Sequence, residues 1–274
     1  MATEFSLRCW GARGSTPTPG ASTLRYGGET TCLELRAGDA LLLIDCGSGA
    51  RNLGMNLCSA GPREFDLLFT HTHLDHICGL PFFKPAYDER FKVRAWAGHF
   101  ENGNSLSEIV CRIMSPPIFP VAAKTLKAVE FLNFRAGEKL KRDDDLEITT
   151  CRLNHPGGAC GYRFDFHGKS IAIVTDHEHG DAEIDANVRR FVKDVDYMIY
   201  DAMFTDEEYL IYKGWGHSTW QKGLELAKQA GVKTPVLFHH DPRHSDDAMD
   251  AIGRAAEKVF PGTLIAFEGM VIEP

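Results

Sequence analysis

Short apolar runs bounded by polar turns recur along the chain and alternate with segments of helical spacing. The runs predicted to be strands are TTCLELRAG and DALLLIDCG as a hairpin, then FDLLFTHTH, KVRAWAG, LEITTCRLNH, GACGYRFDFHG, KSIAIVTD, VDYMIYDAMF, TPVLFHHD and TLIAFEG. Helical spacing is found in HLDHICGLPFF, SLSEIVCRIM, EIDANVRRFVKD, STWQKGLELAKQAGV and SDDAMDAIGRAAEKVFPG. Ser105 and Glu108 in SLSEIVCRIM resemble a capping box, and Gly231 is the expected C-terminal cap of STWQKGLELAKQAGV. Because both halves run from strands to helices, the pattern predicts an α/β protein in which two mixed sheets form a sandwich with helices on the outer faces, an αββα arrangement.

The pattern continues from one end of the chain to the other without a linker or a low-complexity segment. We therefore predict a single domain over residues 1–274. Residues 82–135 are the least regular stretch and contain the proline-broken segment SPPIFPV. This stretch is expected to form a lid, a homodimer surface or a plain surface excursion.

The net charge and the hydropathy of the chain indicate which classes of binding partner to expect. The 274 residues are 43% hydrophobic and carry a formal net charge of −8. Proteins that bind long nucleic acids usually present a basic stripe, whereas the longest basic cluster here is the short segment Lys139–Arg142. No run approaches the roughly 20 apolar residues of a membrane-spanning helix. We expect neither a long nucleic acid nor a membrane as partner.

The cysteines and the opening residues indicate a cellular compartment. The eight cysteines form no CxxC pair and lie mostly inside apolar runs, which is typical of reduced thiols. The opening segment MATEFSLRCWGARG lacks the apolar run of a signal peptide. A cytoplasmic location is therefore expected.

The string FTHTHLDHICG concentrates metal-binding chemistry in a short segment. Its four candidate ligands lie within six residues: His71, His73, Asp75 and His76. An apolar strand precedes the string and a helix follows it, so the four side chains can face one pocket. Imidazole and carboxylate groups suit Zn²⁺, Mn²⁺ or Fe. The alternative interpretation is a solvated loop that happens to be rich in histidine.

Three later strand ends carry further candidates. His155 follows a strand in LNHPGG, Asp176 ends the strand in IVTDHEHG, and His239 with His240 ends the strand in VLFHHDP. Taken singly, His155 could be a loop histidine and Asp176 a helix-capping acid. His239 and His240 compete for one position.

The HxHxDH pattern is the signature of the metallo-β-lactamase superfamily, and the sequence resembles that family over nearly its whole length. The resemblance implies the αββα fold and two divalent metal ions, with Zn²⁺ the expected metal and Mn²⁺ or Fe the alternatives. One ion is expected on His71, His73 and His155. The second is expected on Asp75, His76 and His239, with Asp176 bridging the two. His239 fits the family register better than His240, which is expected to neighbour the ligand or to contact substrate.

Two further motifs resemble the ribonuclease Z and phosphodiesterase branch of this superfamily. There an acid in a HEAT-type motif supports a histidine in a GHST-type motif. In YDAMFTDEEY and GWGHST, Asp201 falls on the acid, where the branch usually has Glu, and His217 falls on the histidine. The resemblance implies that Asp201 orients His217, which stabilises phosphoryl charge or protonates the leaving oxygen; with Asp75, these are the expected catalytic residues. The alternative is that Ser218 caps the next helix and His217 merely precedes it, and both interpretations can hold.

The opening string WGARGSTPTPG resembles the Gly-rich first loop of the same branch. Arg13 and Ser15 are candidates for substrate contacts through a phosphate. A tight turn between strands explains the same composition equally well.

The expected activity follows from what the chain lacks as well as from what it has. Ribonuclease Z carries a projecting arm, which grips transfer RNA, between the third histidine motif and the bridging aspartate; here only 20 residues separate His155 from Asp176. We expect a metal-dependent phosphodiesterase that hydrolyses a small cyclic phosphodiester, such as a 3′,5′-cyclic nucleotide, with a hydroxide held by two metal ions. The alternatives are a ribonuclease Z-like tRNA 3′ endonuclease, a hydrolase of a carbon ester, lactone or lactam, and a non-catalytic metal-binding sensor.

Overall fold

The computed structural model describes residues 4–101, 103–142 and 145–274. The strands in these residues are β1 (Phe5–Gly11), β2 (Cys32–Ala37), β3 (Ala40–Ile44), β4 (Glu64–Phe69), β5 (Lys92–Ala97), β6 (Val129–Asn133), β7 (Lys139–Leu140), β8 (Glu147–Leu153), β9 (Ala159–Phe166), β10 (Lys169–Val174), β11 (Tyr197–Asp201), β12 (Thr234–Phe238), β13 (Leu264–Ile265) and β14 (Val271–Ile272). The helices are α1 (Ala50–Ala60), α2 (Leu74–Ile77), α3 (Leu106–Ile113), α4 (Ala182–Phe191), α5 (Asp206–Tyr212), α6 (Trp220–Ala230) and α7 (Asp246–Val259). Short 3₁₀ turns lie at Leu80–Phe82, Lys84–Tyr87 and Ala123–Thr125.

These strands form two mixed sheets of seven strands each. The first sheet has the order β14-β1-β2-β3-β4-β5-β6 and the second the order β13-β12-β11-β10-β9-β8-β7. In the first sheet β3 to β6 run parallel, and in the second sheet β10 to β13 run parallel. The remaining neighbours pair antiparallel.

Apolar side chains fill the spaces between four layers. One buried cluster, with Leu35 and Phe164 in it, lies between the two sheets. Leu53 of α1 and Val110 of α3 belong to a cluster on the outer face of the first sheet. Helices α4, α6 and α7 cover the outer face of the second sheet in the same way. Burying apolar surface on both faces of each sheet requires this layering, and the predicted αββα sandwich is confirmed.

Local signals in the sequence set several element boundaries. The predicted capping box begins α3, where Ser105 Oγ accepts from the Glu108 amide at 3.3 Å and the Glu108 carboxylate accepts from the Ser105 amide at 2.8 Å. Gly231 ends α6 in the left-handed conformation, with φ 70°, as predicted for a C-terminal cap.

Other elements differ from the sequence prediction. The helix predicted over HLDHICGLPFF contains only four α-helical residues, because Gly79 and Pro81 follow and turn the chain into 3₁₀ geometry. Helix α1 was not predicted; its N-cap residue is Gly49, which has no side chain to cap the helix, so the usual start signal is missing. Helix α5 and strand β1 were not predicted from the sequence either.

The irregular stretch 82–135 is partly built into the sandwich. Strands β5 and β6 extend the parallel part of the first sheet, and α3 packs over them. The remainder still exposes large apolar side chains, including Phe82 and Ile118. A homodimer surface in this part stays a prediction. None of the helices in the described residues combines the length and the apolar character that crossing a bilayer requires.

Candidate metal centre and active site

The predicted ligands converge at the carboxyl ends of strands from both sheets. Three of the segments leave their strands through a residue with a left-handed backbone: Asp45 after β3 (φ 61°), Asp176 after β10 (φ 58°) and His239 after β12 (φ 61°). Non-glycine residues adopt this conformation at a cost, and it is concentrated at functional sites. Here it turns the side chains at the strand ends into the space between the sheets.

One group of three imidazoles forms the first half of the centre. The nitrogens of His71, His73 and His155 lie within 4.8 Å of one another. Nε2 of His155 is 3.0 Å from Nδ1 of His73. Nε2 of His71 is buried and has no hydrogen-bond partner among the described residues. Three imidazole nitrogens therefore meet around a common point.

A second group has two imidazoles and a carboxylate. Nε2 of His76 lies 3.2 Å from Nε2 of His239, and Oδ2 of Asp75 lies 3.3 Å from both nitrogens. All three residues are buried. The group contains His239 and not His240, and the role of His239 as a ligand stays a prediction.

Asp176 stands between the two groups. Its Oδ2 lies 3.2 Å from His76 Nε2 and 3.4 Å from His239 Nε2. Its Oδ1 lies 3.8 Å from Nε2 of both His71 and His155. One carboxylate thus presents one oxygen to each group, which is the geometry of a bridging ligand.

The charges of the site fit a pair of metal ions. Asp45, Asp75, Asp176 and Asp201 are buried carboxylates, and their ion pairs in the described part of the chain are all with histidines. Burial lowers the pKa of His155 to about 4, so its imidazole is neutral and offers a lone pair. Burial alone would raise the pKa of Asp176, but the neighbouring histidines outweigh it and hold that pKa well below its ordinary value. Burial also lowers the pKa of His71 and His73, so the first group offers neutral imidazoles, and such imidazoles beside buried carboxylates are donors that divalent cations accept.

The ligand rings are oriented by hydrogen bonds from outside the two groups. Nδ1 of His76 is bonded to Oδ2 of Asp45 at 2.8 Å, which leaves Nε2 free to face the centre. Asp45 is held in turn by the amide and hydroxyl of Thr70, at 2.8 and 2.7 Å. Sequence analysis missed Asp45, although it ends the strand DALLLIDCG as Asp176 ends IVTD. The shared pattern of an acid after a buried apolar strand was the available signal.

The Asp201–His217 pair forms beside the two groups, as predicted. Nδ1 of His217 donates to Oδ2 of Asp201 at 2.8 Å, so the shorter Asp reaches the ring where related motifs have Glu. The His217 ring centre lies 5.2 Å from that of His155 and 5.0 Å from that of His239. Burial lowers the pKa of His217, but Asp201 outweighs this and raises it to about 9. Atoms of Asp176, Asp201, His217 and His239 also lie within 4.8 Å of one another, so His217 is close enough to serve as a ligand itself.

Ser218 does not have the predicted capping role. Thr219 caps α6, its Oγ1 accepting from the Lys222 amide at 3.1 Å. The Ser218 hydroxyl instead bonds to Tyr200 Oη at 3.0 Å and to His179 Nδ1 at 2.9 Å. Ser218 and Thr219 are adjacent and both carry a hydroxyl that can cap a helix. Because α6 begins at Trp220, Thr219 is in the capping position.

The predicted substrate contacts of Arg13 and His240 are corrected by the structure. The Arg13 side chain is fully buried and donates to the carbonyls of Gly27, Asp241 and His244. Nε2 of His240 donates to the Ala266 carbonyl at 2.8 Å, and burial lowers the pKa of its ring to about 3. Both side chains are therefore occupied in joining the opening loop and the segment after β12 to the core.

The backbone amide of Ser15, and not its side chain, contacts the proposed metal centre. This amide donates to Oδ2 of Asp75 at 2.7 Å, and the side chain is exposed. Gly14 makes this approach feasible, because a Cβ atom there would come within 2.5 Å of the His239 ring. The Gly-rich opening loop thus closes over one side of the proposed metal centre.

A further residue that sequence analysis missed is Glu178, two residues after Asp176. The buried carboxylate of Glu178 accepts from the amides of Gly214 and Gly216, at 2.7 and 2.8 Å, and from the hydroxyl of Tyr209, at 2.9 Å. These donors belong to the segment that leads into His217. No local pattern identifies such a contact, because its partners lie 31 to 38 residues away.

The comparisons with known proteins agree with this geometry. The family described as "Beta-lactamase superfamily domain" matches residues 41–240. A ribonuclease Z from Gemmatimonas aurantiaca is 28% identical, over 85% of this chain and 86% of the relative. The metallo-β-lactamase fold protein YhfI from Bacillus subtilis superimposes with a TM-score of 0.73 at 19% identity, over 98% of this chain and 99% of that chain. A diphosphatase of the PhnP family superimposes with a TM-score of 0.71 at 18% identity, over 98% and 96% of the two chains.

Proposed function

The chain belongs to the β-lactamase superfamily, in its ribonuclease Z-like branch, and from this we propose that it is a metal-dependent phosphodiesterase that hydrolyses a small phosphodiester such as a 3′,5′-cyclic nucleotide. The observation that carries the proposal is the buried Asp201–His217 pair, joined at 2.8 Å beside the proposed metal ligands. Phosphodiester cleavage releases an alkoxide oxygen, and a positioned imidazolium stabilises such a group. A lactone or a carbon ester releases the same kind of oxygen, and the likeness to a ribonuclease Z is what favours a phosphodiester over them.

We propose two divalent ions, with zinc as the metal that suits the donors best. His71, His73 and His155 would hold one ion, Asp75, His76 and His239 the other, and Asp176 both. When bound, such a pair of ions supplies Lewis-acid stabilisation of the phosphoryl oxygens and a nucleophile at neutral pH. The fit rests on buried imidazole nitrogens and carboxylate oxygens that come within 4.8 Å of one another, and on ion pairs of Asp75 and Asp176 that are all with histidines among the described residues.

In this proposal His217 acts as the general acid. The raised pKa, about 9, keeps its ring protonated near neutral pH. Asp201 fixes the ring through Nδ1, so that Nε2 is the atom that donates to the leaving oxygen. Asp75 keeps its orientation through the Ser15 amide.

A ribonuclease Z-like tRNA 3′ endonuclease is the second candidate, and the similarity to the ribonuclease Z from Gemmatimonas aurantiaca favours it. Two features speak for a smaller substrate instead. Residues between His155 and Asp176 are taken up by the adjacent strands β9 and β10, which leaves no room for a projecting arm there. The formal net charge of −8 is also unfavourable for binding a polyanion.

The eight cysteines bear on where the protein works. All of them are free thiols and five are buried. This state supports the proposal of a reducing compartment such as the cytoplasm.

The test is a panel assay with zinc-loaded and manganese-loaded protein. The substrates are bis-(p-nitrophenyl) phosphate, cyclic AMP, cyclic GMP, 2′,3′-cyclic nucleotides, a lactam and a pre-tRNA. We expect turnover of one or more small phosphodiesters. Cleavage of pre-tRNA alone, with an affinity that falls steeply as salt is raised, would support the endonuclease. Turnover of the lactam with every phosphodiester inert would overturn the phosphodiesterase proposal.

A further inference from the structure

Trp215 exposes an aromatic side chain at the rim of the proposed metal centre. Its exposed fraction is 63%, although large aromatic side chains are usually mostly buried. The next residue, Gly216, lies directly against His155, because a Cβ atom at Gly216 would come 2.3 Å from His155 Nδ1. Consecutive Cα atoms are about 3.8 Å apart, so the indole begins one residue from the glycine that touches His155 and two residues from His217.

The indole is supported by a row of aromatic rings. The Trp215 ring centre is 5.1 Å from that of Tyr212, at an interplanar angle of 70°. Tyr212 is itself held between the Phe204 ring, stacked at 5.1 Å, and the Arg243 guanidinium, 4.5 Å from the ring centre. Phe204 also contacts His217, with 6.0 Å between ring centres. The row therefore runs from the exposed indole to the proposed general acid.

The backbone that carries Trp215 is held on both sides. Gly214 and Gly216 each adopt φ 90°, and both donate their amides to the Glu178 carboxylate. An exposed side chain on such a segment loses little conformational freedom when a ligand packs against it. Pre-organisation of this kind favours binding without requiring any additional contact.

The proposed metal centre and the exposed indole of Trp215 are suited to different parts of one substrate. The proposed metal ions would bind the phosphate, which all phosphodiesters share. A supported aromatic face beside it offers stacking, which every nucleobase accepts. We propose that Trp215 is the base-stacking wall of the substrate site, so that the substrates are phosphodiesters of nucleosides; this proposal rests on the phosphodiesterase function proposed above.

The deciding experiment measures binding separately from turnover. Isothermal titration of metal-loaded wild-type protein, Trp215→Ala and Trp215→Phe is carried out with AMP and with ribose 5-phosphate, which share a phosphate and differ in the base. We expect wild type to prefer AMP, the Ala variant to lose about 10-fold in AMP affinity with ribose 5-phosphate unchanged, and the Phe variant to retain most of the preference. Leu210→Ala is the matched control, because it removes an exposed apolar side chain (82% exposed) outside the row of rings.

Three results would overturn the assignment of Trp215. The first is equal affinity of wild type for AMP and ribose 5-phosphate, and the second is an AMP preference that survives in Trp215→Ala. The third is a wild-type dimer that Trp215→Ala converts to a monomer with the ligand preference intact, which would identify the indole as an interface between two copies of the chain. Failure of the phosphodiesterase proposal is seen separately, as inert phosphodiesters in the panel assay, and leaves the binding comparison valid.

Discussion

The carbonyl of Gly216 accepts a hydrogen bond from Nδ1 of His155 at 2.7 Å. This bond fixes the tautomer of His155 and points Nε2 toward the proposed metal centre. Gly216 is held in place by Glu178, whose carboxylate also accepts from Gly214 and Tyr209. A single buried carboxylate therefore positions the loop that orients one proposed ligand and leads directly to His217.

Replacing Glu178 by Gln tests this arrangement. The amide NH₂ of Gln would face an N–H or O–H donor, so the loop must shift and the His155 and His217 rings with it. We expect kcat on the best phosphodiester to fall at least about 10-fold with a smaller change in KM, and zinc to be lost at a lower chelator concentration. Tyr209→Phe, which removes one of the three donors, should give a smaller loss of the same kind.

The control for this variant is Glu183→Gln, an exposed carboxylate on α4. Wild-type kcat and zinc retention in Glu178→Gln would contradict the positioning role. A loss of thermal stability with both quantities unchanged would indicate that Glu178 serves folding alone.

His217→Ala and Asp201→Asn separate catalysis from metal binding. We expect both variants to keep the wild-type metal content, because the proposed ligands remain, while phosphodiester turnover drops by about 10²-fold or more in His217→Ala. Metal content by atomic emission and steady-state kinetics are the measurements, with the exposed His167→Ala as control. Loss of one ion per chain in His217→Ala would identify His217 as a ligand, in line with its closeness to Asp176 and His239.

Asp45→Asn tests the support of His76. The carboxylate of Asp45 bonds to His76 Nδ1 at 2.8 Å and accepts from Thr70. Losing a partner of this kind typically weakens metal binding by about 10- to 100-fold, because the ligand ring is less basic and less well oriented. Competition with a chromophoric chelator measures the effect, and the exposed Asp39→Asn is the control. Unchanged zinc affinity would show that His76 is not a ligand or needs no support.

Asp196 immediately precedes β11, at the opposite end of that strand from Asp201, and gives a prediction about pH and stability. It is buried and accepts from Lys233 Nζ at 2.6 Å and from the Ser170 amide at 2.7 Å. Burial alone would raise its pKa, but these two hydrogen bonds outweigh it and lower the pKa below the ordinary 3.8. A carboxyl whose pKa is lowered on folding stabilises the protein above its unfolded pKa, and this contribution is lost as the pH falls through the folded value.

Asp196→Asn should therefore lower the free energy of unfolding by about 1–2 kcal/mol at pH 7, with a difference from wild type that shrinks as the pH falls through the lowered pKa of the folded state. Urea unfolding at pH 7, 5 and 3 measures the difference. A difference that stays constant over this range would mean that packing, and not ionisation, is the cause.

Much of the fold and the centre follows from local sequence pattern. The close spacing of His71, His73, Asp75 and His76 after an apolar strand predicted the first part of the centre, and the resemblance to the metallo-β-lactamase superfamily added His155, Asp176 and His239 at later strand ends. The capping box at Ser105 and Glu108 and the cap at Gly231 formed where the sequence predicted them. These signals involve residues within a few positions of one another, which is the range over which strand and helix periodicity acts.

The tertiary structure decided the contacts made across long separations in the chain. Arg13 donates to a carbonyl 231 residues away, at His244, and is thereby withdrawn from the phosphate role that its Gly-rich setting suggested. Asp45 reaches His76 because β3 and β4 pair as parallel neighbours in the first sheet, so that the segments after them meet. Glu178 reaches Gly216 in the same way, from the segments that follow the parallel neighbours β10 and β11 of the second sheet. A buried polar side chain needs a hydrogen-bond partner, but local sequence pattern does not show where along the chain that partner lies. The partner depends on which loops meet, and this is set by how the strands pair and how the whole sandwich packs.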